Sequence, residues 1–301
     1  MQVRQQPGVL QTWLLAARPK TLPAAAAPVL VGTAAAVNEG VFRLGPALAA
    51  LLGALLIQIG TNLANDVFDY KKGADAAGRL GPLRVTQAGL LTPAQVMVGT
   101  WVTFGLVALI GVYLIWAGGW PILIVGLLSI ASGVAYTGGP FPLGYHGLGD
   151  LFVFLFFGIA AVCGTYYVQA GSVSTLALGA AVPMGALATA ILVVNNLRDI
   201  ATDRAVGKRT LAVRLGMRGA RVEYALLLGV AYLSPLVTWL AGGVTPWGLA
   251  AWLSLPLAAQ PLRLVMRKEG RVLNQALAGT ARLELVFGLA FSLGLILARL
   301  A

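Results

Sequence analysis

Two stretches of the sequence put carboxylates and amides at helical spacing, "NLANDVFDY" at 62–70 and "NNLRDIATD" at 195–203. Asn62, Asp66 and Asp69 are separated by four and three positions, and Asn195, Asp199 and Asp203 by four and four. At about 100° per residue, each triplet lies along one stripe of a helix. A single interval, 133 positions, separates Asn62 from Asn195 and Asp66 from Asp199. Each stripe is followed by a glycine and basic residues, in "YKKGAD" and "RAVGKRT". Carboxylates on opposed helices suit a hard divalent cation, and Mg2+ takes one or two of them together with phosphate oxygens and water. The adjacent cations, Lys71, Lys72, Arg84, Arg198, Lys208 and Arg209, would face the phosphate oxygens that the metal leaves free. Together these residues describe a diphosphate site. One Asn-x-x-x-Asp at a helix end reads only as a solvated terminus, because a charge there can reach the membrane interface. Two matched copies, each with its glycine and cations, argue for a site.

The elements that must position these groups are membrane helices. The 301 residues are 58% hydrophobic and 10% charged, with a mean hydropathy of +0.84. Apolar stretches recur that are long enough, at roughly 17 to 25 residues, to cross about 30 Å of hydrocarbon. Nine are expected, near 21–38, 45–67, 94–117, 120–137, 148–170, 175–197, 220–241, 245–265 and 277–299. Without water to satisfy the backbone, such runs are helices, since barrel strands would be shorter and alternate in polarity. The expected fold is an all-α bundle forming one integral membrane domain over 1–301, with no linker composition dividing it. Residues 9–17 read as a short interfacial helix, and the apolar run after Arg18 and Lys20 as the first span rather than a cleaved signal peptide. Cys163 is the single cysteine, so no intrachain disulfide is possible.

The formal charge of +11 raises nucleic acid as a partner, and the placement of the charges argues against it. With nine spans and the N-terminus inside, 18 of the 21 lysines and arginines fall on one side. This is the positive-inside pattern, with the N-terminus and both acidic clusters cytoplasmic. An even number of spans separates the clusters, so the repeat is parallel, about an axis along the membrane normal, and brings both stripes to one central cavity. In an oily bundle the natural diphosphate carries a lipid tail.

At these residues the chain resembles the intramembrane aromatic prenyltransferases of the UbiA superfamily, whose two aspartate-rich motifs match "NLANDVFDYKKGAD" and "NNLRDIATDRAVGKRTLAVRLG". Further stretches resemble the MenA-type 1,4-dihydroxy-2-naphthoate polyprenyltransferases: "ARPKTLPAAAAPVLVGTA", "GPLRVTQAGLLTP", "YTGGPFPLGYHGLGDLFVFLFFGIAAVCGTYYVQ" and "NQALAGTARLELVFGLAFSLGL". The resemblance runs from residue 17 to 297 without departure at the metal-motif positions. It implies a nine-helix fold whose central cavity is capped by the loops after the second and sixth spans. It also implies Mg2+ bridging a polyprenyl diphosphate, and prenyl transfer to the naphthoate ring with loss of diphosphate and CO2, giving demethylmenaquinone.

On that resemblance Asp66, Asp69, Asp199 and Asp203 are the expected metal ligands, direct or through water, with Asn62 and Asn195 completing or orienting the shell. Asp75 lies off the stripe but within the matched motif, and a second metal would use it. Arg84, Lys208 and Arg209 are the expected diphosphate cations, whereas Lys71 and Lys72 are equally well read as solvated positive-inside charges. Tyr136 and Tyr145 are candidates to contact the aromatic acceptor, against the alternative of interfacial anchoring. His146, the only histidine, reads as an ordinary loop residue, and Phe152, Phe154, Phe156 and Phe157 as packing residues. Other acceptors on the same fold would be 4-hydroxybenzoate, homogentisate, haem or a chlorophyllide. A secondary transporter is the rival of another class, although transporters place their sites near the midplane on broken helices.

Overall fold

A computed structural model describes residues 7–73, 80–241 and 245–300. Asp75, and the topological charges Arg4 and Arg79, lie outside the described residues. A short helix, α1 (Val9–Ala17), precedes α2 (Leu22–Asn38), α3 (Leu44–Lys71), α4 (Pro93–Gly118) and α5 (Trp120–Ala135). The chain continues through α6 (Gly149–Ala170), α7 (Thr175–Ala205), α8 (Leu211–Leu240), α9 (Pro246–Arg267) and α10 (Gly270–Leu300). Among the described residues, eight helical stretches are long and apolar enough to cross a membrane, and α5 is a shorter apolar helix. The expected all-α membrane bundle is therefore the observed one, and α1 covers the stretch expected to form an interfacial helix.

The spans differ from expectation mainly at the ends that carry the two motifs. α3 runs four residues past 67 and α7 eight past 197, because hydropathy falls where the carboxylates begin while the backbone ladder continues. Each helix then stops shortly before a glycine of positive φ, Gly73 and Gly207, the usual means of ending a helix without a Cβ penalty. α8 begins at 211 rather than near 220, and Gly216, at φ 70°, separates its first turn from the rest.

α7 is the centre of the bundle. Its face of Ala180, Ala181, Met184, Leu187, Ala190 and Val194 is buried, against α6, α8 and α10. Lipid tails are as apolar as leucine, so close packing rather than hydrophobicity holds such helices together, and small residues permit it. At Gly158 and Gly185 the backbones of α6 and α7 approach so closely that a Cβ on Gly158 would stand 2.7 Å from the Gly185 Cα. α2 touches α3, α6, α7 and α10, joining the first half of the bundle to the last helix. Within α6, residues Phe154–Cys163 are π-helical, a geometry that turns the helix face and recurs at functional sites.

Candidate active site

The first stripe occupies the last turns of α3. Asp66 is 1% exposed and Asp69 2%, so each needs partners. The two Asp66 oxygens accept the backbone N–H groups of Val85 (3.2 Å) and Thr86 (3.1 Å), with Arg18 Nη2 at 3.5 Å. Asp66 thereby fastens the segment before α4 onto the helix end, and that segment carries Arg84. Arg84 donates through Nη1 to the Asn65 carbonyl at 2.6 Å and pairs through Nη2 with Asp69 at 2.6 Å. The other Asp69 oxygen accepts the Tyr145 hydroxyl at 2.8 Å and lies 3.5 Å from Lys208 Nζ. The same ammonium is 3.8 Å from Asp203. Arg84, Asp69, Lys208 and Asp203 thus form one alternating chain of charge that joins the two motifs, as the parallel repeat predicts.

The second stripe ends α7. Arg198, buried at 3% exposure, clamps the Asp199 carboxylate through Nε (2.8 Å) and Nη2 (2.5 Å). It also donates to Asn195 Oδ1 (2.8 Å) and to Asn274 Oδ1 on α10 (2.7 Å). Asn274 in turn donates to the Leu80 carbonyl at 2.9 Å. Bidentate planar pairing of this kind fixes orientation as well as charge. Asn62 does not join the charged chain: its amide donates to the Ala17 carbonyl (3.1 Å) and Thr21 Oγ1 (2.9 Å), pinning the junction of α1 and α2 to α3.

A turn at Leu143–His146 closes over both motifs. Tyr145 reaches Asp69 through its hydroxyl, and its carbonyl accepts the Arg209 N–H at 2.9 Å. The ammoniums of Lys208 and Lys72 lie 4.6 and 4.9 Å from the centre of its ring, within cation–π range. Lys72 also donates to the Thr137 carbonyl at 2.7 Å, so it belongs to the cluster although the residue, like Arg209, is exposed. Burial, and secondarily Lys208, lower the Lys72 pKa against the opposing pull of Asp69. Burial and the Asp69 carboxylate raise that of Tyr145, which stays a neutral donor. Tyr145 therefore stands among the charges. His146 is held by the Pro142 carbonyl and stacks on Phe141.

Beneath the cluster lies an apolar cavity of about 460 Å3, lined by α2 to α6, with Gln58, Thr61 and Tyr136 among its polar lining residues. Phe152, Phe156 and Phe157 line it, so three of the four phenylalanines face the cavity rather than simply packing; Phe154 instead abuts Gly185. Tyr136 bridges cavity and cluster: burial, then Asp150, Asp69 and Asp203, raise its pKa.

Sequence reasoning counted Arg18 only as a topological charge and gave no role to Asn65, Thr137 or Asn274. Thr137 donates to Asn65 Oδ1 at 2.8 Å, tying the end of α5 to α3. No periodicity marks these contacts, because each partner lies on a different element.

The donor set can be weighed against Mg2+. Among the described residues no three acidic, histidine or cysteine side chains form a metal cage. Asp69 and Asp203 converge on one cation, however, and a carboxylate pair is what Mg2+ uses when phosphate oxygens and water complete its shell. The residues fit a metal that arrives with a diphosphate.

The class of protein is thus a polytopic helical bundle with a cluster of acidic and basic side chains at the mouth of an apolar cavity. The chain belongs to the UbiA prenyltransferase family, whose profile matches residues 25–298. It is 40% identical over 304 residues to the 1,4-dihydroxy-2-naphthoate octaprenyltransferase of Escherichia coli, covering 99% of both chains. To the Mycobacterium tuberculosis enzyme of the same name it is 43% identical over 281 residues, 92% of this chain and 94% of that one. Solved structures share the fold at lower identity. The apo UbiA homologue from Aeropyrum pernix K1 has a TM-score of 0.69 at 16% identity, over 91% of this chain and 97% of that one. The Archaeoglobus fulgidus homologue bound to DMAPP and Mg2+ has a TM-score of 0.67 at 14% identity, over 95% and 99%.

Proposed function

We propose that this chain transfers a polyprenyl group from an isoprenoid diphosphate to 1,4-dihydroxy-2-naphthoate, releasing diphosphate and CO2 and leaving the ring at the quinol level, as demethylmenaquinol, from which oxidation elsewhere gives demethylmenaquinone. The observation that carries the reading is the Lys208 ammonium shared by Asp69 and Asp203 above an apolar cavity. The names of the relatives support the acceptor, and the DMAPP and Mg2+ in the A. fulgidus homologue support the metal-bound donor.

Asp69 and Asp203 would hold Mg2+ directly, with Asp66 and Asp199 acting directly or through water, and Asp75 serving a second ion. When bound, Mg2+ supplies positive charge to the diphosphate as the allylic carbon–oxygen bond ionises. Arg84, Lys208 and Lys72 present their N–H groups where that charge develops, from positions already fixed by Asn65, Asp69 and Thr137. Tyr145 holds Asp69 in place and offers its ring to the Lys72 and Lys208 ammoniums. The cavity takes the isoprenoid and excludes water from the allylic cation, and its aromatic walls stabilise that cation.

The whole of 1–301 is read as one domain, in the cell membrane, with the site on the cytoplasmic side where the basic residues gather. Membranes given labelled polyprenyl diphosphate with either 1,4-dihydroxy-2-naphthoate or 4-hydroxybenzoate test the acceptor. Prenylated, decarboxylated naphthoate is the expected product; product from 4-hydroxybenzoate alone would overturn the assignment.

A further inference from the structure

Asp150 stands on the first turn of α6, outside both acidic stripes. Its side chain is 7% exposed, and its Oδ2 has no hydrogen-bond partner among the described residues. Every other described aspartate is engaged: Asp66 by backbone N–H groups, Asp69 by Arg84, Asp199 by Arg198, and Asp203 by Lys208. A buried acceptor left unmet is costly, more so when charged, and such a group asks for an explanation, a catalytic role among them.

The surroundings define that ligand. Val153, one turn further along the same helix, lines the apolar cavity together with Phe152 and Tyr136. A Cβ on Gly149 would lie 2.9 Å from the Tyr136 hydroxyl, so glycine at 149 lets this hydroxyl reach the turn that carries Asp150. Tyr136 stands in the field of Asp150 and of both motif acids, Asp69 and Asp203. At the roof of the cavity, between isoprenoid space and diphosphate cluster, a hydroxyl donor thus approaches the turn that carries a carboxylate with one unmet oxygen. This pair matches a hydroxylated aromatic ring.

We propose that Asp150 is the general base of the transfer, taking the proton of the acceptor's ring hydroxyl. The inference rests on the proposed reading of the chain as a prenyltransferase acting on such a ring. The electron pair of the broken O–H bond becomes a ring carbonyl. The adjacent ring carbon then bonds to the allylic carbon, whose bond to diphosphate breaks with its pair leaving on diphosphate. The ring is now a β-keto acid. Its carboxylate departs as CO2, the electrons return to the ring oxygen, and the proton comes back from Asp150, which ends as it began.

The titratable groups facing Asp150 are Tyr136, at the end of α5, and Glu223 on α8, close enough to interact electrostatically. From α7, Thr189 approaches the Asp150 carbonyl at 3.4 Å, while Arg198 and Asp199 pair with each other. In the turn before α6, Tyr145 is bonded to Asp69 and His146 to Pro142.

The experiment compares wild type with Asp150→Asn in membranes, using saturating polyprenyl diphosphate and Mg2+ with 1,4-dihydroxy-2-naphthoate, from pH 6 to 10. General bases contribute typically about 10²–10⁴-fold. Asp150→Asn should lose at least ~100-fold in kcat near pH 7 and recover as pH approaches ~10, where a phenol ionises unaided. A variant within about threefold of an active wild type, or one equally impaired at every pH, overturns the inference. No product from wild type with this acceptor overturns instead the reading beneath it. If Asp150→Asn does not accumulate in membranes, Asp150→Ala with and without added formate carries the test. Restored turnover with formate supports the base, and its absence contradicts it.

Discussion

The Lys208 ammonium lies 3.5 Å from the Asp69 carboxylate, joining residues from motifs 133 positions apart across the axis of the repeat. A cation from the second motif loop thus sits on an acid from the first, as a shared site requires.

Lys208→Ala removes that link and one donor for the diphosphate. Hydrogen bonds to charged groups are worth about 1.5–3 kcal/mol, so kcat/KM for polyprenyl diphosphate should fall by ~10- to 100-fold, with Lys208→Arg retaining much of it. Steady-state kinetics at fixed acceptor concentration check this, and an unchanged kcat/KM would place Lys208 outside the site.

Arg84→Met leaves Asp69 buried without its closest cation. Breaking one side of a buried pair costs about 3–5 kcal/mol, so the thermal midpoint should drop clearly. The double variant with Asp69→Asn should be more stable than Arg84→Met alone, because no charge is then stranded. A double variant less stable than the single one contradicts the pairing seen at 2.6 Å.

Lys72 titrates below the ordinary lysine range, chiefly through burial. Its charged form is disfavoured by the fold, so its penalty on stability is present at neutral pH and fades as pH rises through its folded pKa. Its attraction for diphosphate fades over the same window. Lys72→Arg keeps its charge to above ~12, so the alkaline fall in polyprenyl diphosphate affinity should move to higher pH. Binding titrations across pH 7 to 11 would show it, and superimposable profiles would remove Lys72 from the diphosphate cluster.

Asp66→Asn exchanges an acceptor for an amide whose NH2 would face the Val85 or Thr86 N–H. A buried unmet donor costs about 1–3 kcal/mol, and the segment carrying Arg84 loosens. Proteolysis within 80–92 should accelerate in step with lost activity. Lost activity without faster cleavage would mean that Asp66 acts on ligand alone.

Much of this was legible because the bilayer makes sequence and structure unusually direct. Apolar runs gave the spans, and two polar stripes at equal offset gave the site. The grouping of Asp69, Asp203, Lys208 and Arg84 follows from the stripe and repeat. What was not legible depends on contacts between elements. The N–H groups that occupy Asp66 come from a loop 19 and 20 residues away, and no side-chain pattern records a backbone donor. Tyr145 was expected against the acceptor ring, but a turn of "PLGYHG" does not reveal that its hydroxyl points at Asp69. Asp150 escaped notice for the opposite reason. It is a lone acid at the start of an apolar run, and only its burial and its unmet oxygen distinguish it from a solvated helix end.

The central claim is that two motif halves make one metal-dependent diphosphate site. The most direct measurement is the Mg2+-dependent binding of an unreactive polyprenyl thiolodiphosphate to wild type, Asp69→Asn, Asp203→Asn and the double variant, with EDTA as the metal-free reference. The account predicts that either single change abolishes the Mg2+-dependent increment and that the double variant adds no further loss. Two independent, additive losses, or binding in wild type that EDTA leaves unchanged, would contradict it.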